Sequence, residues 1–256
     1  MKLGFIGVGK IATSLIEGIF KAKINFQEII LSPKNKKKSR SIKNKFKKIK
    51  IAKSNQEVID KSNWIVLSVT PKVGKKILSK LKFKKNHTVL NFMSTIHNQE
   101  LKKIIFPAKR IFKIAPLPMI KYNLGPIIIY PKNKIIENFF KKLGKVIATN
   151  YEKENKKLWV MTSFMATYLE IFNTAHKWFV KKGINQNKSK EYINHLFKAL
   201  NNELFKSCNY SIDKMIAEFQ TKGGINEELL MRSKKSGIFK SLSKGFDKIY
   251  SRVKKS

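Results

Sequence analysis

The chain has 256 residues, 55 of them lysine or arginine against 16 acidic, a formal charge of +39, and 42% of it is hydrophobic. That apolar share excludes a disordered polyelectrolyte and suits one large core or two modest ones. A single cysteine, Cys208, excludes a disulfide framework or thiolate zinc site within one chain, and no metal site is expected. No apolar run reaches the roughly 18 residues of a membrane span, and the first residues pattern as a buried strand, so a cytoplasmic protein without membrane attachment is expected.

In chain order, Lys2 to Ile6 predicts a buried strand, followed by Gly7-Val8-Gly9-Lys10-Ile11-Ala12 and an apolar-periodic helix reaching Phe20. This is G-x-G-x-x-A at a strand–helix junction. Gly7 permits the tight turn, and Gly9 lets backbone approach a pyrophosphate. Ala12 keeps the helix close to the sheet, and the helix N-terminus, opened by Lys10 and Ile11, faces the anion. A dinucleotide site is therefore expected. Glu28 to Ser32 predicts a second strand, ended by Pro33. An NAD site usually places an acid here, whereas this chain offers Ser32, Pro33, Lys34, Asn35 and Lys36. NADP is preferred on that ground, with Ser32 and Lys34 as its phosphate contacts, and NAD stays possible.

Lys34 to Lys50 is basic without an acid, and Ile42, Phe46 and Ile49 recur at helical spacing, so a surface helix with a thin apolar face is expected. It lacks interleaved aromatics for stacking on bases. Only Arg40, Arg110, Arg232 and Arg252 are arginine. Lysine is spread through the whole chain, which reads as compositional bias; salt-sensitive adhesion to nucleic acid is expected, and specific binding is not.

Trp64 to Val69 is a continuous apolar strand broken by Thr70-Pro71-Lys72, at a carboxyl end where open α/β sheets bind ligands. Further strands are expected at Thr88–Phe92, Arg110–Ile114, Pro126–Tyr130 and Lys145–Ala148, with helices from Asn98 and over Glu137–Leu143. Residues 1–150 thus form an α/β, Rossmann-type doubly wound dinucleotide-binding domain. From Tyr151 strand-like runs vanish, and residues 151–256 predict an all-α domain. One long helix is expected over Asn155–Lys182, ended by Gly183, and a second over Lys188–Lys206. Ser211 caps a short third, a Gly-Gly turn opens another at Thr221-Lys222-Gly223-Gly224-Ile225-Asn226, and the last spans Phe239–Val253. That Gly-Gly turn makes an anion nest able to hold a carboxylate, or an ordinary cap. The broad apolar face of the first long helix needs cover, which points to a homodimer or larger assembly.

With these residues in view, the chain resembles the pyrroline-5-carboxylate reductase family, as a divergent member. The resemblance runs nearly end to end through GFIGVGKIA at Gly4–Ala12, Asn55-Gln56-Glu57, IVLSVTPK at Ile65–Lys72, RIFKIAPLP at Arg110–Pro118 and TKGGIN at Thr221–Asn226. It implies an NAD(P)H-dependent oxidoreductase that reduces L-1-pyrroline-5-carboxylate to L-proline, with the active site where a Rossmann domain and a helical dimerisation domain meet. By position, Gly7, Gly9 and Ala12 would hold the pyrophosphate, Asn55 the adenosine ribose or its phosphate, and Val69, Thr70 and Pro71 the nicotinamide side. Thr221, Lys222, Gly223, Gly224 and Asn226 would surround the substrate carboxylate, with Thr162, Tyr168 and Asn226 as catalytic candidates. The family's S-G-S-G-P-A-Y signature is replaced by Thr162-Ser163-Phe164-Met165-Ala166-Thr167-Tyr168, and its M-P-N-T-P loop by Ala115-Pro116-Leu117-Pro118-Met119. Phe164 and Met165 fill space that glycine leaves open, so a different small imine or keto acid is an alternative substrate. A non-catalytic NADP-binding protein and a basic nucleic-acid-binding scaffold are the alternatives from other classes. Hydride transfer needs no catalytic dyad, and His87, His97, His176 and His195 are scattered.

Overall fold

The computed structural model describes residues 1–206 and 211–255, so Cys208 lies outside the described residues. Within them the chain divides into two compact units, Met1–Trp159 with the residues from Arg252 onward, and Val160–Ser251.

The first unit is a doubly wound sheet. Strands β1 (Lys2–Ile6), β2 (Glu28–Leu31), β3 (Ile49–Ile51), β4 (Trp64–Leu67), β5 (Thr88–Asn91), β6 (Arg110–Ala115), β7 (Pro126–Tyr130) and β8 (Lys145–Ala148) lie in the order β3-β2-β1-β4-β5-β6-β7-β8. All neighbours from β3 to β6 are parallel, β7 is antiparallel to β6, and β8 is parallel to β7. The carboxyl ends of β1 to β6 therefore share one edge, and the order reverses between β1 and β4. The central strands β1, β2, β4 and β5 are buried almost throughout because both faces are covered. Leu3, Phe5, Ile29, Leu31, Val66 and Leu90 pack on one face beside α1 (Lys10–Lys21), while Ile30, Ile65, Leu67 and Val89 pack on the other. Each such fully buried aliphatic side chain is worth about 1.5–3 kcal/mol over its exposed state.

Two sequence expectations are corrected. The basic stretch is a shorter helix, α2 (Lys36–Lys45), followed by β3. Phe46 is extended, at φ −132° and ψ 135°, and Lys48 has φ 65°, so the chain turns before Ile49 enters the sheet beside Ile29. Apolar residues at helical spacing came from two different elements. The single long helix is two, α7 (Glu152–Met161) and α8 (Phe164–Lys181). Both the N–H and the hydroxyl of Ser163 donate to Val160 O, at 3.0 and 2.7 Å, tightening the turn and replacing the regular ladder there.

In the first unit the remaining helices are α3 (Asn55–Asp60), α4 (Pro71–Leu78), α5 (Asn98–Ile104), α6 (Lys134–Lys141) and a short 3-10 helix over Pro118–Tyr122. In the second unit α8 ends in a Schellman motif: Gly183, at φ +85°, donates to Val180 O and Ile184 N–H to Phe179 O. Then follow α9 (Gln186–Lys206), α10 (Ile212–Glu218), α11 (Ile225–Lys235) and α12 (Ile238–Lys255), whose residues from Arg252 onward belong to the first unit. Ser211 precedes α10 but its side chain makes no cap hydrogen bond. Among the described residues no helix is long and apolar enough to cross a membrane.

Candidate functional site

The sheet edge at the carboxyl ends of β1, β2, β4 and β5 gathers the residues expected to hold a dinucleotide. Gly7 leaves β1 at φ +97°, a conformation other residues rarely adopt, and a Cβ there would stand 2.6 Å from Val69 Cγ1 and 2.7 Å from Ser68 O. Its peptide groups are pinned by two serines. Gly7 N–H donates to Ser32 Oγ at 3.0 Å, and Ser68 Oγ donates to Gly7 O at 2.7 Å. Gly9 differs: it caps α1 with ordinary φ −91°, brings no side-chain cap, and a Cβ on it would meet nothing within 4 Å. The turn thus presents open space directly in front of a helix start whose first N–H groups have no intrahelical acceptor. Lys10 is exposed, Ala12 is fully buried against the sheet, and Ile11 is half-buried.

Beyond β2, Ser32 is buried and engaged with the turn, and its carbonyl accepts from Ser39 Oγ of α2 at 3.2 Å. Lys34 and Lys36 are exposed at the strand's end, with no acid between Ser32 and Lys45. Asn55 opens α3 after Ser54, whose hydroxyl accepts from Glu57 N–H, while the Glu57 carboxylate accepts from Lys53 N–H, one residue before the cap. Thr70 is the N-cap of α4, with Pro71 at its first position. Gly74 of α4 lets the neighbouring loop approach, since a Cβ there would meet Met93 Sδ at 2.5 Å and Val69 Cγ2 at 3.4 Å.

The second set of expected residues lies in the Val160–Ser251 unit. Tyr168 OH accepts from Asn201 Nδ2 at 3.4 Å, and its ring meets Phe197 edge-on at 5.5 Å. Phe164 packs between Tyr168 and Phe246 at 6.5 and 6.1 Å. Thr162 is half-buried at the break before α8. The Gly-Gly turn forms as expected, with Gly223 at φ +72° and Gly224 N–H bonded to Thr221 O at 2.8 Å. Gly223 N–H donates to the chain's own Glu227 carboxylate at 2.7 Å, which is the helix-cap form of this turn. Lys222 is exposed, and Asn226 Nδ2 donates to Phe219 O at 3.1 Å.

Four polar residues at or beside the sheet edge escaped the sequence reading. Ser68 sits inside an apolar run. Asn91 and Lys113, fully or nearly buried neighbours on β5 and β6, reach under the loop that leaves β5. Glu152 of α7 accepts from His97 at 2.8 Å, and the other ring nitrogen of His97 accepts from Lys156 Nζ at 3.1 Å, which assigns the proton to Nδ1. His97 is thereby a brace between α5 and α7, and His176 likewise bonds Ser189 across α8 and α9 at 2.9 Å. Among the described residues no group of metal-ligating side chains occurs.

The family described as NADP oxidoreductase, coenzyme F420-dependent, matches residues 2–95, which include the glycine turn and the start of the loop after β5. No curated protein matches the chain. Among solved structures, the 1-pyrroline-5-carboxylate reductase of Streptococcus pyogenes shares 22% identity over 100% of this chain and 99% of its own, with a TM-score of 0.88. The pyrroline carboxylate reductase of Plasmodium falciparum, solved with NADP bound, shares 18% identity over 99% and 97%, at a TM-score of 0.86. That of Coxiella burnetii shares 16% over 99% and 97%, at 0.78. At these identities the likeness establishes a common fold along the entire chain.

Proposed function

We propose that the protein is an NAD(P)H-dependent reductase of a cyclic imine carboxylate, with L-1-pyrroline-5-carboxylate as the first substrate to try. The observation that carries the reading is the pair of unlike glycines at the point of strand-order reversal. Gly7 is required by its own chain, whereas Gly9 leaves a space no protein atom fills, and α/β sheets bind dinucleotides at this place. The residues fit the cofactor. Gly7, Gly9 and the start of α1 would take the pyrophosphate, Lys34 a 2′-phosphate, Asn55 the adenosine ribose, and Val69 to Pro71 the nicotinamide side. When bound, the cofactor supplies a hydride to an electrophilic carbon.

The chain's own part is then binding and orientation. Thr221 to Asn226, with the exposed Lys222 among them, would hold the substrate carboxylate, Gly223 N–H exchanging its bond to Glu227 for one to the ligand. Tyr168 would supply a hydroxyl from α8, and Thr162 a second from the break before that helix. Assembly as a homodimer through the second unit fits its unburied apolar side chains, with Trp178 57% and Tyr192 61% exposed. A different imine or keto acid is the second reading, favoured by Phe164 and Met165, which are half-buried where the family signature carries small residues.

The test is oxidation of NADPH by purified protein with L-1-pyrroline-5-carboxylate, run beside NADH. Turnover faster with NADPH supports the reading in full. Binding of NADPH without its consumption moves the reading to the second substrate class, examined with a panel of imines and keto acids. Absence of NADPH binding refutes it.

A further inference from the structure

A lysine inside a sheet is out of place unless something holds its charge. Lys113 is the fourth residue of β6, flanked by Phe112 and Ile114, and is 4% exposed. Its ammonium donates to three backbone carbonyls of one loop: Met93 O at 2.7 Å, Ser94 O at 3.0 Å and Ile96 O at 2.7 Å. Three N–H donors meet three acceptors, so the charged form is completely satisfied, and a neutral amine, with two N–H groups, would give up one of the three bonds. Asn91, its register partner on β5, works on the same segment. It donates to Ile96 O at 3.1 Å and accepts from Met93 N–H at 3.0 Å. The loop after β5 is therefore wound around two buried side chains.

The loop leads on to the glycine turn. Met93 Sδ lies in the notch left by Gly74 of α4, next to Val69, and Val69 in turn lies against Gly7. A packed path thus runs from Lys113 through Met93 and Val69 to Gly7. On its other side the Lys113 ammonium stands 5.1 Å from the ring centre of Trp159 on α7, and His97 joins the loop's end to Glu152 of the same helix.

We propose that Lys113 is a positioning residue: its ammonium holds the Met93–Ile96 loop in the shape that completes the nicotinamide side of the dinucleotide site. This rests on the reading of that site given above. Because the hold needs the third N–H, cofactor affinity becomes sensitive to alkaline pH. Burial pushes the Lys113 amine down to about 8, opposed by Glu152 of α7, lowered further by Lys156 of α7, and raised by Glu100 of α5. Tyr130, opposite Lys113 on β7, is pushed up by burial and by Glu152, so it stays neutral over the same range.

The experiment compares wild type, Lys113→Met and Lys113→Arg by amide hydrogen exchange of residues 92–97 at pH 7 and by NADPH titration from pH 6.5 to 9.5. Expected are faster loop exchange and about tenfold weaker NADPH binding in the methionine variant, both restored at least in part by arginine. Wild-type affinity should fall with a midpoint near 8, and the arginine variant, which does not lose its charge, should not follow it. The wild-type pH profile needs no variant to fold. Equal loop exchange in wild type and the methionine variant would overturn the proposal, as would one shared pH profile for wild type and arginine. A responsive loop in a wild type that binds no NADPH would overturn its cofactor end and the site reading together, while leaving the lysine's hold on the loop standing.

Discussion

Replacing each glycine of the turn by alanine separates fold from ligand. At Gly7 the new Cβ would lie 2.6 and 2.7 Å from Val69 Cγ1 and Ser68 O, at φ +97°. The left-handed backbone costs about 1–2 kcal/mol for a residue with a Cβ, and the forced shift of packed neighbours about 1–3 kcal/mol. Gly7→Ala should therefore lose roughly 2–5 kcal/mol, which for a unit of this size lowers Tm by about 2–4 °C per kcal/mol. At Gly9 the added methyl meets no protein atom, and φ −91° suits alanine. Alanine gains about 0.4–1 kcal/mol through the unfolded chain and loses about as much as a poorer N-cap, so the net change should stay within ~1 kcal/mol. If the open space belongs to a pyrophosphate, Gly9→Ala should nevertheless weaken NADPH at least about tenfold, or 1.4 kcal/mol. Thermal unfolding by circular dichroism and NADPH titration by fluorescence measure the two effects. A Gly9→Ala protein that binds NADPH as wild type does would refute the assignment of that space, whatever Gly7→Ala does.

Other expectations follow from single observations. Lys34→Glu places a carboxylate at the end of β2, where no acid stands now, and should shift the NADH-to-NADPH affinity ratio about tenfold toward NADH; an unchanged ratio would remove Lys34 from the site. His87 is buried, and its Nδ1 accepts from Lys84 N–H at 3.0 Å; burial, and then Lys84, hold its pKa below the ordinary value, with Asp60 opposing. The unfolded chain thus binds the proton more readily. The stability His87 contributes is complete above its unfolded pKa of about 6.5 and is lost as pH falls below it. Urea midpoints between pH 7.5 and 5 should fall less steeply in His87→Gln, and parallel slopes would count against the mechanism. Ser62 Oγ is buried without a hydrogen-bond partner. Ser62→Ala should be neutral or more stable by up to about 1 kcal/mol, and a loss beyond that in chemical denaturation would mean the hydroxyl is satisfied.

The architecture was legible where residues repeat. Strands buried on both faces announce themselves as apolar runs, and seven of the eight lie where the pattern put them. The exception, β3, has three residues with Lys50 in the middle, and it borrows its apolar neighbours from a helix that ends at Lys45. Periodicity also joined α7 to α8, because Ser163 tightens the chain through hydrogen bonds that leave the apolar spacing intact. In the site, the glycine turn was readable from its order and its place after a strand.

Most of what supports that turn was not legible. Ser32, Ser68 and Lys113 each reach backbone of a segment distant in sequence: Gly7 N–H, Gly7 O, the Met93–Ile96 loop; Asn91 reaches the same loop from two and five residues away. Such contacts carry no period. A lone serine or lysine in an apolar run looks like a tolerated defect of the strand. Physically it is the reverse, since a polar group sealed in a sheet costs more than a missing apolar one unless it is paired. The charge inside RIFKIA is a demand for acceptors nearby. The loops at the carboxyl ends of neighbouring strands are where unsatisfied carbonyls are found, and those loops shape the candidate site. Buried polar residues near strand ends are thus the place where this chain converts a generic sheet into one particular binding surface.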